Sequence, residues 1–404
     1  GDGGGPTSLI YNGGSSTSFL VLTPTGSSTY SGTTTISQGI LRLSSANAIG
    51  GGLTSSATVG NIIFTATGTN RAILETTTAA GTITRALGYG AGQIHWEGNG
   101  GFSNQGAATQ VVNLGGAGAM LTWGLGGFVA TGSQLQFGQT SANSNFALGT
   151  IDFQNAIELG ALVRTLEASR ANGTTTDRTS AILEAILSGD ITSGAGGGVD
   201  KVGTGTLQLT GNNSGGLGTI SVTQGTLYFS DMNAILGSGA NITLSTAAGG
   251  NAAFGVANDT DPLSTLGGRI VNPSSATAAF LLSADSSAAL NFSSYPNMRL
   301  AAFAFTNADT TPTPLDHAVT FTGSIIPAAG TYRLGGAAPV QNTNAAASTL
   351  VLARDNILTG TNALNMTYGQ LTLTAANNFS GGTVLNGNAI TIVALGIGNN
   401  SALV

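Results

Sequence analysis

A unit of strand, glycine corner and strand recurs along this chain, and that recurrence limits the fold more than any other feature. One copy runs Ser28-Thr29-Tyr30-Ser31-Gly32-Thr33-Thr34-Thr35-Ile36-Ser37-Gln38-Gly39-Ile40-Leu41-Arg42-Leu43 and reaches Asn47-Ala48-Ile49-Gly50. A second runs from Asn213-Ser214-Gly215-Gly216 through Thr219-Ile220-Ser221-Val222 and Gly225-Thr226-Leu227-Tyr228-Phe229 to Asn233-Ala234-Ile235-Leu236-Gly237. The third begins at Asn377-Asn378-Phe379-Ser380-Gly381-Gly382-Thr383-Val384-Leu385 and reaches Ala394-Leu395-Gly396. Two copies carry a matched strand upstream, Gly205-Thr206-Leu207-Gln208-Leu209-Thr210 and Gly369-Gln370-Leu371-Thr372-Leu373-Thr374.

Within each strand, apolar residues alternate with Thr, Ser or Gln, the period of a strand with one face in a core and one in solvent. Gly and Asn fall at corners that need φ > 0. The expected fold is therefore all-β: a parallel β-helix, or β-solenoid, forming one elongated rod over residues 1–404. The repeat-matched segments are 1–60, 199–240 and 366–398, and 240–350 is less regular, interrupted by Pro312, Pro314, Pro327 and Pro339. With roughly 20 residues per coil and about 4.8 Å between coils, the rod would be on the order of 95 Å long. The stretch from Ala181 to Leu187 has helical propensity but is short for a helix, and we read it as strand.

These residues resemble the autotransporter-associated β-strand repeat of large bacterial surface proteins. The family pattern is a Gly-Thr-Leu-x-Leu-Thr-Gly-Asn-Asn strand, a Tyr-Ser-Gly-Gly-Thr corner, and a second Gly-Thr-Leu strand ending near Ala-Leu-Gly. Residues 201–237 match it best, and 81–170, with Arg85-Ala86-Leu87-Gly88 and Val112-Asn113-Leu114-Gly115-Gly116, look like spacer coils between such motifs. The resemblance implies an extracellular, cell-surface location and a passenger-like β-helix.

Composition excludes several alternatives. A mean hydropathy of +0.24 with a net charge of only -6 argues against disorder. Gly supplies 63 of the 404 residues without a triplet period, and Pro only 9, so collagen is excluded. No run of about 18 apolar residues points to membrane insertion. Cys is absent, which removes disulfides, thiolate metal sites and cysteine nucleophiles. Lys201 is the sole lysine among 11 basic residues, so no nucleic-acid partner is expected. The chain starts at Gly1 without Met, and the expectation is a processed or excised piece of something longer.

No enzymatic chemistry and no cofactor are expected. The nucleophile-elbow, zinc-helix and P-loop signatures are all missing. Only His95 and His317 could exchange protons near neutrality, and His95, between Ile94 and Trp96, reads as an ordinary strand residue. Asp316 and His317 are adjacent and would face opposite sides of a strand. The metal expectation is none: Asp259 and Asp261 could hold Ca²⁺ from one strand face, but Pro262 makes a solvated turn the reading. Gly196-Gly197-Gly198-Val199-Asp200 only faintly resembles a calcium-binding nonapeptide. Charge concentrates at Glu158, Arg164, Glu167, Arg170, Asp177, Arg178, Glu184 and Asp190; we read solvated, compensating ion pairs there rather than a contact patch for a partner chain or acidic glycan. Tyr89, Trp96 and Trp123 could stack on sugars but read as core or ladder residues.

A β-rod has two end coils with unpaired backbone edges, which soluble solenoids cover with caps. No cap is legible at either end. The expected assembly interface lies at the terminal coils, near Gly1–Tyr11 and Ile392–Val404, engaged by further repeats of a longer chain or head to tail by identical chains. The expected function is that of an extracellular fibre, stalk or adhesin, a homo-oligomer or filament with surface glycans as further candidate partners. The alternative is a glycan-binding or glycan-cleaving β-helix with a site in 240–350 built from Asp285, Arg299, Asp316 and Arg333.

Overall fold

Short strands between glycine corners can satisfy their backbone groups only against neighbouring coils, and the chain folds accordingly. The computed structural model describes residues 5–54, 59–77, 82–140 except 107 and 117, 149–170, 183–244 except 217, 236 and 238–240, 252–257, 262–271, 278–303, 318–336, 349–367, 369–386, 393–399 and 401. Among these residues every ladder between strands is parallel, and antiparallel pairing is confined to isolated bridges such as Ala66 with Asn99. Parallel neighbours need a crossover. Here the crossover is the remainder of each coil rather than a helix, so the fold is an all-β parallel β-helix.

The residues group into two compact units, one of 1–173, 183–219 and 233–238, the other of 174–182, 220–232 and 239–404. In the first unit, Thr34–Leu43, Ala72–Thr76, Gly100–Asn104, Leu135–Gly138, Val163–Ser169 and Gly198–Val202 lie side by side in that order. A second face carries Gln110–Val112, Ile151–Phe153, Ala185–Leu187 and Thr206–Leu209. A third carries Met120–Thr122, Ala156–Glu158 and Ile191–Thr192. The strand expected near Ala181–Leu187 is present as Ala185–Leu187, while Ala181 and Ile182 lie outside the described residues.

Several coils are longer than the repeat suggested. Thr34 pairs with Ile62, Phe102 with Phe137 and Leu166 with Lys201, spacings of 28, 35 and 35 residues. Coils near twenty residues occur in both units: Phe19 pairs with Ile40 and Ala185 with Leu207 in the first, 21 and 22 residues apart, and Phe280 with Leu300 and Leu350 with Leu371 in the second, 20 and 21 residues apart. Glycine-rich turns such as that from Trp123 to Phe128 lengthen the first unit's corners without adding strand.

Inward residues stack in columns. In the first unit Phe64, Trp96, Phe102, Phe128, Phe137 and Phe153 form a buried aromatic file, with ring centroids 4.9 Å apart for Phe64 and Trp96 and 6.1 Å for Phe137 and Phe153. Edge-to-face and tilted packing of this kind contributes beyond buried area alone. The second unit packs smaller residues, Ala253, Ala279, Leu281 and Ala301, against Tyr228 and Phe303. A short helix, Pro262–Leu266, follows the turn expected at Asp259 and Asp261, which lie outside the described residues; a proline at the first helical position loses no intrahelical bond.

The corner asparagines work differently from the expectation. Among the described residues, positive φ belongs to glycines and to Ala329 and Asn356 alone. Asn155, Asn213 and Asn377 instead turn their amides onto neighbouring coils: Asn213 Oδ1 accepts from the Ile191 amide at 2.5 Å and its Nδ2 donates to the Ala234 carbonyl at 2.7 Å. Asn377 Oδ1 accepts from the Leu358 amide at 2.9 Å. The repeat's asparagine thus closes backbone groups that a turn leaves open. Gly39 does meet the φ expectation, at 94°, and a Cβ there would lie 2.7 Å from the Ser18 carbonyl oxygen.

Candidate assembly interface

The first coil is built from Leu9–Asn12 and Phe19–Leu22, both paired to the long strand Thr34–Leu43. Among the described residues neither has a ladder on its other edge. Alternation puts Leu9, Tyr11, Leu20 and Leu22 at half-buried positions, while Ile10 stands 71% exposed. Beside them Thr7, Leu9, Val21, Leu22, Pro24, Tyr30 and Ala48 line a groove of about 430 Å³. Tyr11 carries its hydroxyl under this coil, buried and without a hydrogen-bond partner, and burial raises its pKa.

At the other end of the sequence, Thr383–Leu385 pairs with Ala363–Met366, and Val393–Ile397 with Gly369–Leu373. Again no described strand occupies the outer edges. Val384, Leu385 and Ile397 are 48, 49 and 47% exposed. Of the expected interface, Gly1 to Gly4, Ile392, Asn400 and Ala402 to Val404 lie outside the described residues, and the sequence reading did not single out Val21 or Val384. A signal for them was legible: residues 3–41 and 356–404 hold no Asp, Glu, Lys, Arg or His. Edge strands are usually guarded by such charges.

The charged segment corrects the sequence reading. Glu167 and Glu184 are buried, not solvated, in a polar seam on the first unit, and Arg164 is buried over the Trp123 ring with Nε donating to the Leu159 carbonyl, whereas Asp190 is exposed as expected. Arg42 Nε and Glu75 Oε1 meet at 2.5 Å on neighbouring coils, in direct register, and Ser103 on the next coil donates to Glu75 Oε2 at 2.8 Å. Arg71 Nε lies 2.9 Å from Glu167 Oε1, with its N–H off the hydrogen-bond line. Gln136 Nε2 and Ser169 Oγ both donate to Glu167, at 2.6 Å each, and Arg170 pairs with Glu184 at 2.6 Å. Burial holds Glu75 above the usual carboxylate range despite Arg42. Lys201 is wholly buried nearby, its pKa lowered to about 7 by desolvation. Pairing across coils cannot be read from sequence because partners such as Arg42 and Glu75 are a whole coil apart. Asp177 and Arg178 lie outside the described residues.

The remaining candidates are placed as follows. His95 is buried in strand Ile94–Trp96 with Nε2 3.3 Å from Glu97 Oε1, and Tyr89 packs on it with centroids 4.6 Å apart. Trp96 and Trp123 are core residues; Tyr89 is exposed. Asp259, Asp261, Asp316 and His317 lie outside the described residues. Asp200 belongs to strand Gly198–Val202, not to a calcium loop. Asp285 is exposed and accepts from the Thr320 amide, Arg299 is buried, and Arg333 reaches back to carbonyls of its own turn, Ala328 and Thr331. Among the described residues no three metal-capable side chains converge, and no helix is long and apolar enough to cross a membrane.

Compared with known proteins, the chain matches no family model, no curated protein and no solved structure.

Proposed function

We propose that this chain is an extracellular structural protein, a fibre or a stalk or adhesin segment of a bacterial cell surface, joined to its neighbours through its terminal coils. One observation carries the reading: the outermost described strands toward both ends of the sequence combine a backbone edge with no ladder among the described residues, exposed aliphatic side chains and no charged side chain. An unguarded edge of this kind is a template for another strand. The repeat unit quoted above supports the surface location by resemblance. Electron microscopy of the purified chain over a dilution series tests the proposal. Filaments that lengthen with concentration are expected; isolated particles at every concentration, together with sugar release from a polysaccharide panel, would overturn it.

A second reading has its own observation. In the second unit, Ser264, Gly267, Asn291, Ser294 and Tyr295 line a pocket of about 410 Å³ with Leu263 and Ile270. Uncharged hydroxyl and amide groups over an apolar floor suit a neutral sugar better than an acidic one. Saturation-transfer NMR with neutral oligosaccharides, lost in Asn291→Ala, would favour it.

A further inference from the structure

We propose that the groove on the first coil is a socket for the last coil of a second copy of this chain, the two copies joined head to tail. This rests on the structural reading above and names the partner at its joint. The stretch after Leu22 stacks on the coil below: the Ser44 amide donates to the Leu22 carbonyl, and Ser28 bonds Asn47 and Ala48 through its amide and hydroxyl. One coil down, the corresponding stretch fills the core with Ala48, Ile49 and Leu53, all buried. In the first coil it reads Thr23-Pro24-Thr25-Gly26-Ser27-Ser28, with no large aliphatic residue. The core column on that side therefore stops short, and the 430 Å³ groove above Ala48 and Tyr30 is where the side chains of one further coil would sit.

The chain's own last strands carry what that space takes. Val384, Leu385 and Ile397 are exposed on strands whose outer edges are free among the described residues. Residues 3–41 and 356–404, which hold these strands, contain no Asp, Glu, Lys, Arg or His to desolvate or to repel. Direction selects the joint: every ladder among the described residues is parallel, and head-to-tail contact continues a parallel ladder where head-to-head contact would reverse it. Such a heterologous contact leaves each copy with its other end free to repeat it.

The absence of cysteine makes the test direct. Ile10→Cys and Ile397→Cys, both at exposed positions, are prepared separately and treated with a short bis-maleimide. Covalent dimers are expected in the mixture and not in either variant alone. Dimers of Ile10→Cys with itself, or no dimer in a mixture that forms filaments, would overturn this joint while leaving the structural reading intact. No dimers and no filaments would remove both. Val21→Lys places a charge at the groove and should reduce cross-linking at least about tenfold with an unchanged far-UV spectrum. Leu125→Lys, on an exposed residue away from the groove, should not; equal loss in both variants would mean unspecific apolar adhesion and would also overturn the joint.

Discussion

Replacing Lys201 with Met should change the sign of its effect on stability with pH. The side chain sits in the strand Gly198–Val202, wholly buried, with Nζ donating to the carbonyls of Ala168, Val202 and Gly203 at 3.4, 2.9 and 2.7 Å. Desolvation lowers its pKa from 10.5 to about 7, against the opposing pull of Glu184, Glu167 and Asp200. Between those two values the unfolded lysine binds more protons than the folded one. Stability therefore rises with pH across this window, by up to about 1.4 kcal/mol per unit and on the order of 5 kcal/mol in all. Met fills a similar volume and carries no charge, but it gives up the hydrogen bonds, each worth about 1 kcal/mol net. Ala168 keeps a donor in the Gly205 amide at 2.8 Å. Near pH 7 the desolvation cost outweighs the lost bonds, and Lys201→Met should be more stable by about 1–3 kcal/mol. Near pH 11 the order should reverse, because the wild-type amine is then largely neutral in both states. Urea unfolding followed by far-UV circular dichroism at several pH values reads this directly. Parallel curves for the two proteins would refute the reasoning, since they would mean that Lys201 titrates alike folded and unfolded.

Three further outcomes follow from the seam and the coil contacts. Arg42→Met leaves Glu75 buried without its partner and should cost about 3–5 kcal/mol near neutral pH, whereas the double variant Arg42→Met/Glu75→Met should recover most of it. In the wild type, the raised pKa of Glu75 means that the folded state holds the proton longer, so its contribution to stability falls as pH rises above about 4.5; urea midpoints in mildly acid buffer check both statements. Gly101→Ala would drive a Cβ onto the Gln136 carbonyl of the adjacent coil and should cost about 1–3 kcal/mol or more, while Gly132→Ala, in open space at φ 84°, should cost only the backbone strain of about 1 kcal/mol. Equal losses in the two alanine variants, by urea midpoint, would refute the coil contact.

Strand existence was legible in the chain because alternation and glycine punctuation are local signals: Thr34–Leu43, Gly225–Phe229 and Gly369–Leu373 fall where the repeat placed them. Parallel stacking was legible too, since a strand of about five residues has no partner within its own unit. Coil length was not. The repeat matches only part of the chain, and the turn from Trp123 to Phe128 or the one around Gly160 adds residues that no periodicity counts. The polar seam was also invisible, and its charges were misread as solvated. A charge is dear to bury alone and tolerable when paired, and whether Glu75 is paired depends on Arg42, 33 residues away, arriving in register on the next coil.

The ends divide in the same way. Sequence alone determined that residues 3–41 and 356–404 carry no charge and that aliphatic residues alternate there, so an unguarded edge was already implied. Only the tertiary structure decided which of those side chains stand outside a ladder and that the stretch after Leu22 leaves a groove above Ala48. Alternation sets which face a residue takes, but exposure depends on whether another coil lies against it, and that is a property of the stack rather than of any strand.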